Sequence, residues 1–190
     1  MSSTVLYMSM SLDGFIAGPN VRLDNGLGDG GNRLHEWVFA DDLAGVNRRV
    51  VDEFTSTGAV VAGRGTFEPA GGWGGDHHGG VPIFILSRRE DDSAIRQWPL
   101  VSYVADVRTA MADAKRAAGS KDVLVHGATV AQLALAAGVL DEIELHVVPV
   151  LLGQGRRLFD DLAPEQIELE RVRVLEGDGG VTHMRYRVRR

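Results

Sequence analysis

The sequence has no cysteine among its 190 residues. This absence excludes a disulfide framework, a thiolate metal site and a cysteine nucleophile. Redox chemistry in such a chain would therefore need a bound cofactor.

Positive charge and long apolar runs are also scarce. The formal net charge is −6, so the chain has no general attraction for phosphate backbones or anionic lipid, and an anionic ligand would need a local arginine cluster. The least polar stretch, residues 131–140, is far shorter than the roughly 20 residues that span a bilayer, and the N-terminus has no basic or apolar signal region. We predict a cytoplasmic protein that binds a small molecule and neither nucleic acid nor a membrane.

What the sequence does contain is the composition of a globular protein. Apolar residues make up 44%, charged residues make up 24%, and there are 24 glycines. A chain of this length suits one domain, and neither repeats nor a linker divide it. The prediction is a single α/β domain over residues 1–190.

Apolar periodicity predicts alternating strands and helices. The predicted strands are residues 4–10, 59–62, 81–87, 101–105 and 122–126, and the predicted helices are 41–57, 106–119 and 129–138. This order is typical of parallel strands with helical crossovers. In the last helix, Val130, Leu133 and Ala137 are expected to form the buried face. The glycine-rich stretch 69–80 is predicted to be loop.

The C-terminal third has a period of two. Ile143 and Leu145 alternate with Glu144 and His146, which predicts half-exposed antiparallel strands at the edge of a mostly parallel sheet. The strand over 167–174 changes phase, so a bulge near Glu170-Arg171 is needed to keep its apolar residues facing inward.

Three strand ends carry residues suited to phosphate. They are Gly63-Arg64-Gly65-Thr66, Ser87-Arg88-Arg89 and Gly127-Ala128-Thr129. Backbone amides at a helix N-terminus, hydroxyls and guanidiniums are the groups that bind phosphate, and paired arginines suit the extra 2′-phosphate of NADP. A tight turn with surface arginines is the structural alternative for each. The GxGxxG fingerprint is absent, so a Rossmann domain is not indicated.

The order of these motifs resembles the dihydrofolate reductase superfamily, specifically the stand-alone relatives of the riboflavin-biosynthesis reductase domain, the RibD C-terminal family. The resemblance covers nearly the whole chain. It rests on the runs SLDGFIAG (11–18), GRGTFE (63–68), ILSR (85–88), HGATV (126–130) and AGVLDEIELHVVPVLLGQG (137–155).

The resemblance implies a three-layer dihydrofolate-reductase-like fold, bound NADPH and a homodimer formed through the C-terminal strands. It places Gly63, Arg64 and Thr66 on the cofactor phosphates and Ser87 and Arg88 on the adenosine phosphate. It places Gly127, Ala128 and Thr129 at the pyrophosphate, and Ala17 and Gly18 over the nicotinamide. His126 stands where dihydrofolate reductases have glycine.

The remaining site residues are hypotheses. Asp13 is the candidate proton donor, although an aspartate in Leu-Asp-Gly also suits a turn, and Asp24 and Asp29 have less to support them. An anionic heteroaromatic substrate could be bound by Arg33, His35 and Trp37, or these residues could form a helix entrance with an aromatic anchor.

Two further segments each have two interpretations. Asp76-His77-His78 resembles a metal cluster, but adjacent histidines point apart in an extended chain, so a solvated loop is favoured and no metal site is predicted. The loop between Ser11 and His35 is rich in glycine and aspartate from 26 to 31, and both a lid and an unstructured connection stay open.

The predicted reaction is hydride transfer from NADPH to a C=N or C=O carbon of a small heterocycle, either a pyrimidine ribosylamine or a pterin-like compound. The alternative is a catalytically silent module that binds NADP(H) or senses a ligand with the same fold.

Overall fold

The computed structural model describes residues 2–88, 98–160, 162 and 166–189. Its strands are β1 (Thr4–Ser11), β2 (Phe15–Ala17), β3 (Ala59–Gly63), β4 (Ile83–Leu86), β5 (Val101–Val104), β6 (Val123–His126), β7 (Glu142–Val148), β8 (Arg156–Arg157), β9 (Leu169–Glu176) and β10 (Thr182–Val188). Its α-helices are α1 (Gly45–Thr55), α2 (Arg64–Phe67), α3 (Val107–Ala118) and α4 (Ala128–Ala136). Within these residues, no helix is long and apolar enough to cross a membrane.

One sheet organises the described part of the chain, with strand order β5-β4-β3-β6-β1-β7-β10-β9. The first six strands in this order, from β5 at the edge to β7, are parallel to one another. β10 runs antiparallel to both β7 and β9. The predicted fold class, a mostly parallel sheet with antiparallel C-terminal strands, is confirmed. Every parallel strand therefore directs its carboxyl end to the same edge of the sheet.

Both faces of the sheet are buried, which creates three layers. On one face, α3 and α4 pack through small residues such as Ala110 and Ala131 against Leu6, Val61 and Val125. On the other face, α1, α2 and the loops pack against a second set of strand residues, namely Val5, Tyr7, Val60 and Leu124. Alternate residues of one strand thus fill two cores, because successive side chains point to opposite faces.

Helix ends follow local chemistry. Asp106 caps α3, since its carboxylate accepts a hydrogen bond of 2.8 Å from the Thr109 amide, and Gly119 ends it with φ 65°. The first predicted helix is wrong at its start: α1 begins at Gly45 and not at residue 41. Gly45 has φ 54°, so a right-handed helix cannot extend back through it.

The predicted face of α4 is also wrong in part. Leu133 is exposed, whereas Ala128, Val130, Ala131 and Ala134 are buried. This helix is apolar nearly all round, so its hydrophobic pattern contains little information on which face meets the sheet.

The C-terminal strands are more buried than their alternation predicts. Glu144 and His146 of β7 are 0% and 3% exposed, because α1 and the segment before it cover that face. Arg173 donates to Glu144 over 2.9 Å and also to Glu53 of α1, so the buried carboxylate is paired. Burial raises the pKa of Glu144, and the guanidiniums of Arg173 and Arg185 oppose that rise.

A bulge does occur in β9, but at Val172. Arg185 pairs with Arg173 and Tyr186 pairs with Arg171, which leaves Val172 as the extra residue. The expected orientation is wrong, because Leu169, Val172 and Val174 are exposed. The inward position is taken by Arg173, which the buried carboxylate of Glu144 requires.

Candidate functional site

The three phosphate-suited segments meet at the carboxyl edge of the sheet. β3 lies between β4 and β6, so Gly63 at the end of β3 lies between Ser87 and Gly127, which directly follow β4 and β6. A Cβ atom built on Gly127 would overlap the Thr66 hydroxyl oxygen. Thr66 is therefore in direct contact with the turn that leads into α4.

Gly127 has backbone geometry that few other residues adopt. Its φ is 95°, and it is the N-cap of α4 without any side-chain cap. The amides of the first turn of α4 consequently have no partner from a capping side chain, and Thr129 in that turn is exposed. A helix N-terminus of this kind favours an anionic group such as a phosphate.

An open cleft lies at the ends of β3 and β4. Its volume is about 420 Å³, and Arg64, Glu68, Ser87 and Arg88 line it. The Arg64 guanidinium donates to Glu68 over 2.6 Å, so an incoming phosphate would share this cation with the carboxylate. Arg89, the second arginine of the predicted pair, lies outside the described residues.

The glycine-rich loop after β1 is an ordered structure. Its Gly18 amide donates to the Leu27 carbonyl, and its Asp29 amide donates to the Pro19 carbonyl. A Cβ atom on Gly18 would overlap the Asp29 backbone, so this close approach requires glycine. These contacts exclude the alternative that this loop is an unstructured connection.

Ala17 connects this loop to the phosphate segments through Arg156. Ala17 of β2 pairs with Arg156 of β8, and the Arg156 guanidinium donates to the Gly65 carbonyl over 2.8 Å. Sequence reasoning missed Arg156. The Gly-Gln-Gly-Arg-Arg run that contains it was available as a signal, but nothing local indicates which cluster an arginine after a turn will join.

The carboxylate of Asp13 accepts the hydrogen bonds that form a turn. It accepts hydrogen bonds from the Ser11 hydroxyl (2.6 Å), the Gly153 amide (2.7 Å) and the Leu152 amide (3.1 Å). The hydrogen bond from Ser11 contributes most to lowering its pKa to about 2, and the two amides add to this. An aspartate with this pKa is ionised at neutral pH, so these contacts favour the turn-forming role over that of a proton donor.

We expect Asp13→Asn to be less stable than the parent at pH 7, because an amide cannot accept all three hydrogen bonds as a carboxylate does. The pKa of Asp13 is lower in the folded protein than its ordinary 3.8, so its contribution is present above about pH 4 and is lost as the pH falls towards about 2. Urea unfolding of both proteins at neutral and acidic pH should show a difference that shrinks with acid. Equal stability at pH 7 would contradict this role.

The three predicted substrate residues do not form one cluster. Arg33 pairs with Glu36 over 3.1 Å at the surface. Trp37 is buried, donates from Nε1 to the Ser9 hydroxyl over 3.0 Å, and its ring centroid lies 4.7 Å from that of His146. His35 is half-buried, and its Nδ1 atom is buried without a hydrogen-bond partner among the described residues.

Histidines from several elements gather on the α1 face of the sheet. Burial lowers the pKa of His126 to about 4 and that of His146 well below its ordinary value, and it also lowers the pKa of His35. The charges of His35 and His126 would both act on His146, so the three rings are close enough to disfavour one another's protonation. At neutral pH these imidazoles are uncharged and act as hydrogen-bonding groups.

The segment with His77 and His78 was wrongly predicted as solvated loop. The two Nδ1 atoms face each other at 2.8 Å, and the His77 ring packs 4.5 Å from Trp73 and 5.1 Å from His126. Trp73 itself has φ 51°, which is uncommon for a bulky residue. The left-handed turn around Trp73 folds the loop back onto the sheet, so the two histidines meet instead of diverging. In the described part of the chain, no group of three or more His, Asp or Glu residues could hold a metal ion.

Sequence reasoning also missed His146 and His183 as site residues. A signal existed in the alternation of β7 and β10, which places Glu144 with His146 and His183 with Arg185 on common faces. Which of the two faces would be covered by α1 depends on packing between distant segments.

Comparisons with known proteins agree with this fold. The model of the RibD C-terminal domain family matches residues 3–182. No curated protein matches the sequence.

Three solved structures are similar to this chain. One is a protein described as a riboflavin biosynthesis protein from Shewanella sp. PV-4 (TM-score 0.77, 22% identity, 99% of each chain covered). Another is a pyrimidine reductase-like protein from Corynebacterium diphtheriae (TM-score 0.63, 15% identity, 100% of this chain and 92% of that chain). The third is dihydrofolate reductase from Enterococcus faecalis complexed with NADP(H) and RAB-propyl (TM-score 0.61, 16% identity, 99% and 97%). At these identities the similarity shows a shared fold.

Proposed function

The chain belongs to the RibD C-terminal domain family, and on that premise we propose that it is an NADPH-dependent reductase of a small heterocyclic compound. The substrate class we propose is a pyrimidine ribosylamine or a pterin-like compound. Hydride would pass from the cofactor to a C=N or C=O carbon, and the cofactor supplies this chemistry when bound.

The observation that supports this proposal most is the convergence of three strand ends on one edge of the sheet. Arg64, Ser87 and Arg88 line the cleft there, and the uncapped N-terminus of α4 follows the adjacent strand β6. In a protein of net charge −6, guanidiniums lining one cleft are the local attraction that an anionic ligand needs. Glycine at 127 brings the Thr66 hydroxyl close to the turn, so this hydroxyl and the amides of α4 could bind a pyrophosphate together.

The roles we assign are those of position and electrostatics. Arg64 and Thr66, beside Gly63, hold the phosphates, Ser87 and Arg88 hold the 2′-phosphate, and the turn over residues 127–129 holds the pyrophosphate. Ala17 and Gly18, held by Arg156 and by the folded loop, cover the nicotinamide and help to exclude water. His35 and Trp37 face the substrate side.

The proposal is tested by titrating the purified protein with NADPH and following tryptophan fluorescence and the melting temperature. Saturable quenching and a rise in the melting temperature are expected, because a ligand that binds only the folded state stabilises it. If neither quantity changes at millimolar NADPH, the cofactor assignment fails.

A silent binding module is the rival function, and the engagement of Asp13 in a turn is the observation in its favour. It is distinguished by turnover. A reductase oxidises NADPH with some member of a panel of pyrimidines, pterins and carbonyl compounds. The oxidation is followed as a loss of NADPH absorbance at ~340 nm. A protein that binds NADPH and oxidises it with none of them would support the module.

We also propose a homodimer formed through the C-terminal strands. The edge strand β9 exposes three apolar side chains, Leu169, Val172 and Val174, and an exposed apolar edge is usually covered in a stable protein. A monomeric mass in light scattering at micromolar concentration would overturn this proposal.

A further inference from the structure

His146 and His183 form a buried pair that the cofactor site does not use. The two residues are directly opposite in the β7–β10 ladder, and their side chains are 3% and 0% exposed. Their Nδ1 atoms are 2.9 Å apart, which is a hydrogen-bond distance. One of these nitrogens must donate and the other must accept.

Asn47 of α1 decides which nitrogen donates. Its Nδ2 atom lies 3.2 Å from the Asp178 carbonyl, which can only accept, so its Oδ1 atom faces His183 Nε2 at 3.0 Å. The amide oxygen can only accept, so His183 carries its hydrogen on Nε2.

The position of one hydrogen fixes the other. Burial lowers the pKa of His183 to about 4 and holds that of His146 well below its ordinary value, so each ring is neutral and has a single N–H at neutral pH. His183 Nδ1 is then an acceptor, and His146 donates to it from Nδ1. The lone pair of His146 is therefore on Nε2.

His146 lies among aromatic rings. Its ring stacks with Tyr7 at 6.1 Å and lies 4.7 Å from Trp37. Within the described residues no hydrogen bond reaches His146 Nε2, and His35 on the same face has a buried Nδ1 atom without a partner. Buried polar atoms are normally hydrogen-bonded, so the unpartnered Nδ1 atom of His35 indicates a missing partner on the face where His146 presents its lone pair.

The charged groups near this pair do not replace that partner. Arg173 is the cation whose charge acts on both rings, and it is bound to Glu53 and Glu144. The other titratable groups that act on His146 are His35 and His126. None of these groups offers a hydrogen bond to Nε2 in the described structure, so its lone pair is available to a donor from a ligand.

We propose that His146 Nε2 accepts a hydrogen bond from an N–H group of the substrate, and that His183 and Asn47 are positioning residues that fix its tautomer. The inference rests on the proposed function and narrows its substrate class to heterocycles that present an amino or lactam N–H to this face. A ring that presents only acceptors would meet a lone pair and be rejected.

The tautomer can be measured directly. In protein labelled with ¹⁵N-histidine, long-range ¹H–¹⁵N correlation at pH 7 should show His146 with a protonated Nδ1 and an unprotonated Nε2. Asn47→Ala should shift both nitrogens of His146 towards averaged values, an effect that a purely structural role would not predict. A protonated Nε2 in the parent protein would overturn the inference, whatever the variant does.

Recognition is tested with two probes of similar size, 6-aminouracil, which has N–H donors, and 1,3-dimethyluracil, which has none. His146→Leu should weaken binding of 6-aminouracil about tenfold, the value of one hydrogen bond of roughly 1.4 kcal/mol. Its affinity for 1,3-dimethyluracil, which the lone pair of the parent disfavours, should be no lower than that of the parent. His146→Gln should restore most of the loss, because its carboxamide can donate to His183 and still present an acceptor.

The two proposals fail in different ways. Each probe is titrated with and without saturating NADPH. Equal affinity of parent and His146→Leu for 6-aminouracil, or no binding of 6-aminouracil to the parent, overturns the role of His146 while the NADPH titration stands. If NADPH does not bind but the His146-dependent difference is present, the reductase proposal falls and the N–H site is retained.

Discussion

Arg88→Ala is expected to weaken NADPH binding by about 10- to 100-fold and to leave NADH binding within about twofold. A hydrogen bond to a charged group contributes about 1.5–3 kcal/mol, and only NADPH has the 2′-phosphate that Arg88 would bind. Arg88 is exposed and lines the cleft with Ser87 and Arg64, so its removal leaves no cavity in the core. Isothermal titration of both cofactors measures the two affinities.

The matched control for this experiment is Arg116→Ala. Arg116 is an exposed arginine of α3 that pairs with Asp113, so the variant makes the same change in net charge away from the cleft. It should bind NADPH as the parent does, and raising the salt concentration should reduce the affinity of both proteins alike. An equal loss for NADPH and NADH in Arg88→Ala would remove Arg88 from the 2′-phosphate site.

Gly127→Ala is expected to lower the free energy of unfolding by about 2–4 kcal/mol and to weaken NADPH and NADH equally, by about tenfold or more. Backbone with φ 95° costs a residue with a Cβ atom about 1–3 kcal/mol, and overpacking against Thr66 adds about 1–3 kcal/mol. The added methyl group also lies at the N-terminus of α4, where the pyrophosphate would approach. Urea unfolding and cofactor titration report the two effects separately.

Two further variants divide the effect of Gly127→Ala into its causes. Gly138→Ala, beyond the other end of α4, has φ 63° and no atom near the added carbon, so it should show backbone strain with unchanged cofactor affinity. The double variant Thr66→Ala/Gly127→Ala removes the overlapping hydroxyl and should regain part of the lost stability. If Gly127→Ala binds NADPH as tightly as Gly138→Ala does, the turn does not contact the cofactor.

Much of the fold was predictable from local signals. The strand over 59–62, the cap at Asp106 and the stop at Gly119 follow from β-branched runs, capping chemistry and positive φ. Errors arose where the pattern had little phase information, as in the nearly all-apolar α4. They also arose in β9, where a buried carboxylate from β7 required Arg173 to face inward instead of its apolar neighbours.

The candidate site was likewise predictable only in part. The convergence of the three phosphate-suited segments at one edge of the sheet was predictable, because each is a strand end followed by glycine, hydroxyl or arginine. His146, Arg156 and His183 were missed, because each makes its contact with a residue far away in the chain. Asp13 was identified, but its partners Leu152 and Gly153 come from the loop after β7, and these assign it to a turn.

By itself, the sequence determined that this protein is a cysteine-free α/β domain with a parallel sheet and three phosphate-suited strand ends. Periodicity, capping and turn chemistry act over a few residues, so each can be recognised in a short stretch of sequence. Only the tertiary structure decided which face of each C-terminal strand is buried and how the imidazoles are protonated. Those properties depend on α1 covering one face of the sheet and on Asn47 meeting His183, 136 positions along the chain.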